Sequence, residues 1–292
     1  VKEPPLISDI EKQLPLVDPP ADVRGIYATS WSAGSASRME YLLNLITTTE
    51  LNAIVIDIKD YSGYVAYQTG LPEVYATGAE DDLRILKPNA LIKKLHDNGV
   101  YVIGRISVFQ DPILAQTHPE WALHSMATGT VLWTDHKGLA WMDPSVQEVW
   151  DYNIAIAHDA LSRGFDEVNF DYVRFASDGD LDSIVYPSWD ETTLKTVVIA
   201  HFFEYLRDRL PGARISADLF GLATLNRDGL GIGQLLESAY ENFNFVSPMV
   251  YPSHYAPGFL GYANPAEYPY EVVKYSMDSA LARLIAYGEA QS

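Results

Sequence analysis

Short strand-like runs alternate with helix-like runs over most of the 292-residue chain. The strand-like runs are rich in β-branched residues, and the helix-like runs repeat apolar residues every three to four positions. Strands are predicted at 23–30, 52–60, 100–109, 165–175, 213–221 and 244–252, and helices at 37–49, 87–99, 143–164, 191–212, 231–243 and 269–288. Alternation of this kind is typical of parallel strands joined by right-handed helical crossovers.

Six such units in a row predict an α/β fold of the (β/α)₈ TIM-barrel type, incomplete at its C-terminus because a full barrel has eight strands. An open doubly wound sheet is less favoured, since no G-x-G-x-x-G fingerprint follows a strand. A missed strand at 129–135 is the alternative to an incomplete barrel. Residues 1–22 contain several prolines and predict a linker or strap, which leaves 23–292 as the barrel domain.

The chain has a net charge of −19 and no cysteine. A negative field of this size disfavours nucleic acid, anionic membrane surfaces and strongly anionic substrates. The absence of cysteine excludes disulfides, thiolate metal sites and cysteine nucleophiles, and it fits an extracellular or cell-envelope location. No leader is visible at the start of the sequence, and no run of about 18 apolar residues predicts a membrane-spanning segment.

The predicted strands end in ionisable side chains, and in a barrel the strand ends surround the active site. Three of these ends carry an aspartate, namely Asp57, Asp171 and Asp218. A carboxylate in such a place is costly unless it is paired or hydrogen-bonded. The candidate partners are Lys59, Arg105 and Arg174. Period-two alternation predicts that Asp57 and Lys59 share one face of their strand.

Paired carboxyl groups between cations and aromatic rings predict glycoside hydrolysis, in which one group protonates the leaving oxygen and the other attacks the sugar or activates water. Asp171 and Asp218 stand on consecutive strands about 4.8 Å apart, close to the roughly 5 Å carboxyl separation of retaining enzymes. Asp57 is predicted as an orienting or charge-stabilising group. The predicted substrate-binding residues are Trp31, Lys59, Asp60, Arg105, Asn169, Arg174, Met249, Tyr251 and His254.

Other classes of protein have less support in the sequence. There is no G-x-S-x-G for a serine hydrolase and no H-E-x-x-H for a zinc enzyme, so neither a metal nor a cofactor is predicted. A metal-dependent lyase or aldolase using Asp57 or Asp60 stays open. A carbohydrate-binding or cell-envelope module without turnover also stays open, and so does the oligomeric state.

Four segments, NAIVIDIKDYSG, GRISVFQDP, WMDPSVQEVWDYNIAIAHDALSRGFDEVNFDYVRF and VSPMVYPSHYAPGFLGYANPAEYPY, resemble a bacterial and archaeal family described as "putative glycosyl hydrolase" domains. The resemblance implies a (β/α)₈ barrel of the amylase-like and chitinase-like type that cleaves a polysaccharide or oligosaccharide. It implies Asp171 as the nucleophile and puts Asp218 where amylase-like barrels carry a glutamate acid. The D-x-x-D-x-D-x-E run of chitinases is absent, which argues against substrate-assisted chemistry.

Overall fold

The computed structural model describes residues 7–127 and 129–291. Its strands are β1 Gly25–Ala28, β2 Ala53–Lys59, β3 Tyr101–Ser107, β4 His124–Ser125, β5 Glu167–Asp171, β6 Ile184–Val185, β7 Ile215–Phe220 and β8 Phe245–Met249. Its α-helices are α1 Ser30–Ala33, α2 Ala36–Thr48, α3 Pro72–Ala76, α4 Pro88–His96, α5 Pro112–Thr117, α6 Gln147–Arg163, α7 Lys195–Arg209, α8 Leu236–Asn242 and α9 Pro269–Gln291. Short 3₁₀ turns lie at Pro119–Trp121, Leu181–Ser183, Gly221–Thr224, Gly229–Gly231, Pro252–His254, Phe259–Gly261 and Pro265–Glu267.

The six strands β1, β2, β3, β5, β7 and β8 form one parallel sheet, in which spatial order follows chain order. The sheet curls into an open half-barrel with helices around it, which confirms the predicted incomplete TIM-type barrel. The segment 129–135 does not supply a barrel strand. It makes isolated antiparallel bridges, His124 with Leu132 and Thr134 with Ala140, beside the small β4–β6 ribbon.

The alternation of side chains along β5 separates the apolar core from the concave side of the sheet. Val168 and Phe170 are fully buried in the layer between the sheet and the helices. Glu167, Asn169 and Asp171 have the opposite direction, because successive side chains of a strand point to opposite faces. The concave side is therefore polar near the carboxyl ends of the strands, where a complete barrel would also carry its site.

A β-bulge near the end of β2 changes the face on which Lys59 lies. Asp57 pairs with Arg105, but the next register partner, Ile106, faces Lys59, so Ile58 is an extra residue. Such an insertion reverses the alternation that follows it. The prediction that Asp57 and Lys59 share a face is therefore wrong. Lys59 points into the helix layer, where its Nζ lies 2.7 Å from the Oδ2 atom of Asp111.

The extended segment after residue 6 packs over the end of α6. The backbone N–H of Gln13 donates to the carbonyl of Arg163, and that of Leu16 donates to the carboxylate of Asp166. Gly164 follows the helix with a φ of 102°, and a Cβ at this position would lie 2.8 Å from the carbonyl oxygen of Gln13. The strap predicted at 1–22 is thus an ordered segment from residue 7, and residues 1–6 lie outside the described part.

Helix α6 begins four residues later than predicted, at Gln147, and Asp143 is not its N-cap. One oxygen of the Asp143 carboxylate accepts from the backbone and hydroxyl of Ser145. The other accepts from the backbone N–H groups of Ser188 and Trp189, so the side chain anchors a distant loop instead.

Among the described helices, none has both the length and the apolar character needed to cross a bilayer.

Candidate active site

A single guanidinium joins the three aspartates at the carboxyl end of the sheet. The Nη1 of Arg105 donates to Asp57 at 2.6 Å and its Nη2 donates to Asp171. Its Nε lies 3.5 Å from the Oδ2 atom of Asp218. The side chains thus come from β2, β3, β5 and β7, and the structure brings all three predicted catalytic aspartates together with Arg105.

The phenol of Tyr27 completes the contacts of Asp57. Its hydroxyl donates to the Oδ2 atom of Asp57, while the ring lies over the guanidinium of Arg105 at 5.7 Å. Both carboxylate oxygens of Asp57 are therefore occupied by the contacts with Tyr27 and Arg105. It holds Arg105, and Arg105 in turn contacts Asp171 and Asp218.

Burial increases the affinity of Asp57 and Asp218 for a proton. Burial raises the pKa of Asp57, and the charge of Arg105 opposes part of that rise. Burial, reinforced by the charge of Asp171, raises the pKa of Asp218 to about 7. A carboxyl group that keeps its proton near neutral pH, as Asp218 does, can act as a general acid.

A chain of hydrogen bonds leads from Asp218 into the concave side of the sheet. The amide nitrogen of Asn169 donates to Asp218 at 3.0 Å and to the hydroxyl of Ser216 at 3.1 Å. Ser216 donates its own proton to Glu167, which also accepts from Tyr101 at 3.0 Å. Because the serine proton goes to Glu167, the serine oxygen can only accept from Asn169. This directs the amide of Asn169 as a donor toward Asp218.

Tyr172 has a backbone conformation that is uncommon outside glycine, with φ at 55°. A non-glycine residue held in this region costs about 1–3 kcal/mol. Its N–H donates to the Oδ1 atom of the preceding Asp171, and its ring packs edge-on against Trp141. The turn thus ends the strand at Asp171 and directs an aromatic ring over the site.

Two adjoining cavities open at this end of the sheet. A cavity of about 540 Å³ lies on the concave side and contains Arg105 and the carboxyl groups of Asp171 and Asp218. A second, of about 340 Å³, is lined by Arg174, Phe220, His254 and Tyr255 among others. The two share four wall residues, Asp171, Tyr172, Met249 and Tyr251.

Three predicted substrate-binding residues lie away from the aspartate cluster. Lys59 is fully buried and also donates to Asn153 and to the carbonyl of Ser107. Asp60 accepts from Arg84, and the Arg84 guanidinium stacks on Trp31 at 4.8 Å. Trp31 and Asp60 therefore lie together on the rim near β1 and β2, with the indole largely exposed.

The other predicted binding residues line the cavities. Arg105 and Asn169 belong to the larger one, and Arg174 and His254 to the smaller. Met249 and Tyr251 lie in the wall between them. Tyr27, Glu167 and Ser216 also belong to the site, although no role was predicted for them. A signal for Glu167 was present, since it stands two and four residues before Asn169 and Asp171, on the same face of one strand.

Metal binding has no geometric support in the described residues, among which no group of three or more His, Asp or Glu side chains is placed to hold an ion. Asp60, one of the two residues on which a metal site would rest, is bound to Arg84 instead. Asp57, the other, is bound to Arg105 and Tyr27.

The half-barrel and its carboxylate cluster define a glycosyl hydrolase-like domain. The chain matches the model of the "Putative glycosyl hydrolase domain" family over residues 25–291 and belongs to that family. Comparison with curated proteins gave no match.

Similar solved structures include a hypothetical protein from Ruminiclostridium thermocellum ATCC 27405, which is 38% identical to this chain with a TM-score of 0.60. The match covers 66% of this chain and 96% of that protein's chain. The PgaB glycoside hydrolase domain from Bordetella bronchiseptica is 15% identical, with a TM-score of 0.59, over 90% of this chain and 81% of its own. A chitobiase from Flavobacterium johnsoniae is 12% identical, with a TM-score of 0.50, over 80% of this chain and 39% of its own. The last two likenesses show a shared fold.

Proposed function

We propose that this protein is a glycoside hydrolase in which Asp171 and Asp218 form the catalytic pair. The observation that carries the proposal is the joint contact of both carboxyl groups with Arg105 at the floor of an open cavity. Membership of a glycosyl hydrolase-like family supports the same class of reaction. The substrate is a polysaccharide or oligosaccharide, and the site of action is extracellular or in the cell envelope.

In this mechanism Asp171 is the nucleophile, or the base that activates a water, because its carboxyl group accepts from Arg105 and lines the open cavity. Asp218 is the general acid, since its pKa of about 7 keeps a proton available near neutral pH. The registers Asn169 with Ser216 and Phe170 with Ala217 place Asp171 and Asp218 at matching positions of neighbouring strands. Neighbouring strands lie about 4.8 Å apart, a spacing that favours a retaining reaction.

Asp57 acts on the pair through Arg105 in this proposal. It holds one end of the guanidinium, so that the other nitrogens face Asp171 and Asp218. As charge builds on the sugar and on the carboxyl groups in the transition state, a guanidinium fixed in this way needs no reorganisation.

The test is a polysaccharide and oligosaccharide panel screened for new reducing ends with the wild type and Asp171→Asn. Removal of the charged oxygen should lower the turnover of any cleaved glycan by at least about 100-fold. The matched control is Asp159→Asn, which neutralises another buried, ion-paired aspartate far along α6. Equal activity of wild type and Asp171→Asn would refute the assignment. Tight glycan binding without cleavage by the wild type would select a carbohydrate-binding module instead.

A further inference from the structure

Arg174 differs from the other buried cations of the chain. Among the described residues the buried Lys and Arg side chains are Lys59, Arg163, Arg174 and Arg283. Lys59, Arg163 and Arg283 each contact a carboxylate, at 2.7, 2.6 and 2.5 Å. Arg174 is only 7% exposed and makes no direct ion pair among the described residues, although Asp171, Asp178 and Asp135 lie near enough to stabilise its charge. A buried charge without a direct carboxylate partner is costly, so its retention calls for an explanation.

Aromatic rings surround the Arg174 guanidinium, and the residue lines the smaller cavity. Its Cζ lies 4.7 Å from the ring centroids of both Trp141 and Phe220, and 5.5 Å from that of Tyr172. Its Nη1 donates to the carbonyl of Phe175 and the hydroxyl of Ser177. These contacts are all neutral, and they account for one of its three nitrogens. A guanidinium is a planar fork, and one with nitrogens left over from its protein contacts is suited to bidentate recognition of a carboxylate.

We propose that the smaller cavity is a subsite for a sugar unit that carries a single carboxylate, with Arg174 as the binding partner of that group. The inference rests on the proposed hydrolase function, because the cavity shares Asp171 and Tyr251 with the cavity of the catalytic pair. A glycan cut at Asp171 and Asp218 would place its neighbouring unit beside Arg174. The rings of Phe220, Tyr251 and Tyr255 supply the flat apolar walls on which a pyranose packs.

The charge of the chain limits the substrate to an isolated carboxylate. A net charge of −19 repels a polyanion over long distances, and Asp171 lies in the wall of the same cavity. Long-range repulsion is screened beyond a Debye length of about 8 Å at physiological salt, whereas a contact with a buried guanidinium is screened much less. The favoured substrate is therefore a mostly neutral glycan with uronic acid units at intervals.

Two sugars that differ only at C6 test the subsite. Methyl glucuronide and methyl glucoside are titrated by calorimetry into the wild type and into Asp171→Asn protein, whose turnover of a glycan is expected to be strongly reduced. The glucuronide should bind at least 10-fold more tightly than the glucoside. Arg174→Met should remove this preference, and Arg38→Met, which removes an exposed arginine of α2, should leave it unchanged.

A second variant keeps the test valid if Arg174→Met does not fold. Arg174→Lys retains the charge but not the planar fork, and it should lower the preference for the glucuronide several-fold. Equal binding of the two sugars by the wild type, or no measurable binding of either, overturns the subsite. Preference for the glucuronide without cleavage of any glycan would leave the subsite standing and contradict the hydrolase proposal. Cleavage of glycans without the preference would do the reverse.

Discussion

Asp218 retains a proton at a pH where an ordinary aspartic acid has lost it, because burial and the neighbouring Asp171 disfavour its charge. Its ordinary pKa of 3.8 is raised to about 7 in the fold. Asn169 and Arg105 oppose the rise but do not cancel it. The residue thus connects catalysis with stability: the feature that makes it an acid also makes its charged form unfavourable in the folded state.

Replacement of this side chain should therefore stabilise the protein above neutral pH. Between pH 3.8 and about 7 the folded chain holds a proton that the unfolded chain has released, so stability falls as the pH rises. The free energy of unfolding falls by at most about 1.4 kcal/mol per pH unit over this range. We expect the difference in melting temperature, Asp218→Asn minus wild type, to be more positive at pH 8 than at pH 5. Calorimetric melting at both pH values measures the difference.

The control for this experiment is Asp159→Asn, whose carboxylate is paired with Arg163. This variant should be less stable than the wild type, since it breaks a buried ion pair. A relative melting temperature of Asp218→Asn that is the same at pH 5 and pH 8 would contradict the raised pKa.

At the scale of elements, the bulge in β2 decides which side of the sheet receives a cation. It places Lys59 among Asp111, Asn153 and the carbonyl of Ser107 in the helix layer. Asp111 also accepts from the N–H of Leu114 and so caps α5. The strand end, the cap and α6 are therefore joined by one buried ammonium group. The concave side keeps Arg105 as the cation that contacts all three aspartates.

Removal of that ammonium should be costly. Lys59→Met leaves the Asp111 carboxylate buried and unpaired, which is expected to lower the free energy of unfolding by about 3–5 kcal/mol. The double variant Lys59→Met with Asp111→Asn keeps the cap on α5, carries no buried charge there, and should recover much of the loss. Urea unfolding of the three proteins decides the point. A cost below about 1 kcal/mol for the single variant, which is typical of an exposed ion pair, would contradict the structure.

At the scale of the whole molecule, the half-barrel leaves its concave side open and the chain carries strong self-repulsion. Tyr27 on β1 and Phe245 on β8 are 52% and 38% exposed, at the two edges of the sheet. The charge of −19 acts on this entire surface and destabilises the compact state.

Added salt should therefore raise the melting temperature at neutral pH. Screening of like charges increases between 0.01 M and 0.15 M ionic strength, as the Debye length falls from about 30 Å to about 8 Å. The effect should nearly vanish near pH 4.6, where the sequence has no net charge. A melting series in sodium chloride at both pH values tests this, and an equal rise at the two would show that charge repulsion is not its cause.

The order of strands and helices, the parallel half-barrel and the strand ends that carry Asp57, Asp171 and Asp218 could all be predicted from the sequence. Local propensity and apolar periodicity are sufficient for these features, because each is written in a few neighbouring residues. Only the packed fold shows that Lys59 leaves the site, that Asp143 anchors a loop and that Arg174 makes no direct ion pair among the described residues. Such outcomes depend on a one-residue bulge and on contacts between segments far apart in the chain, and no local pattern records them.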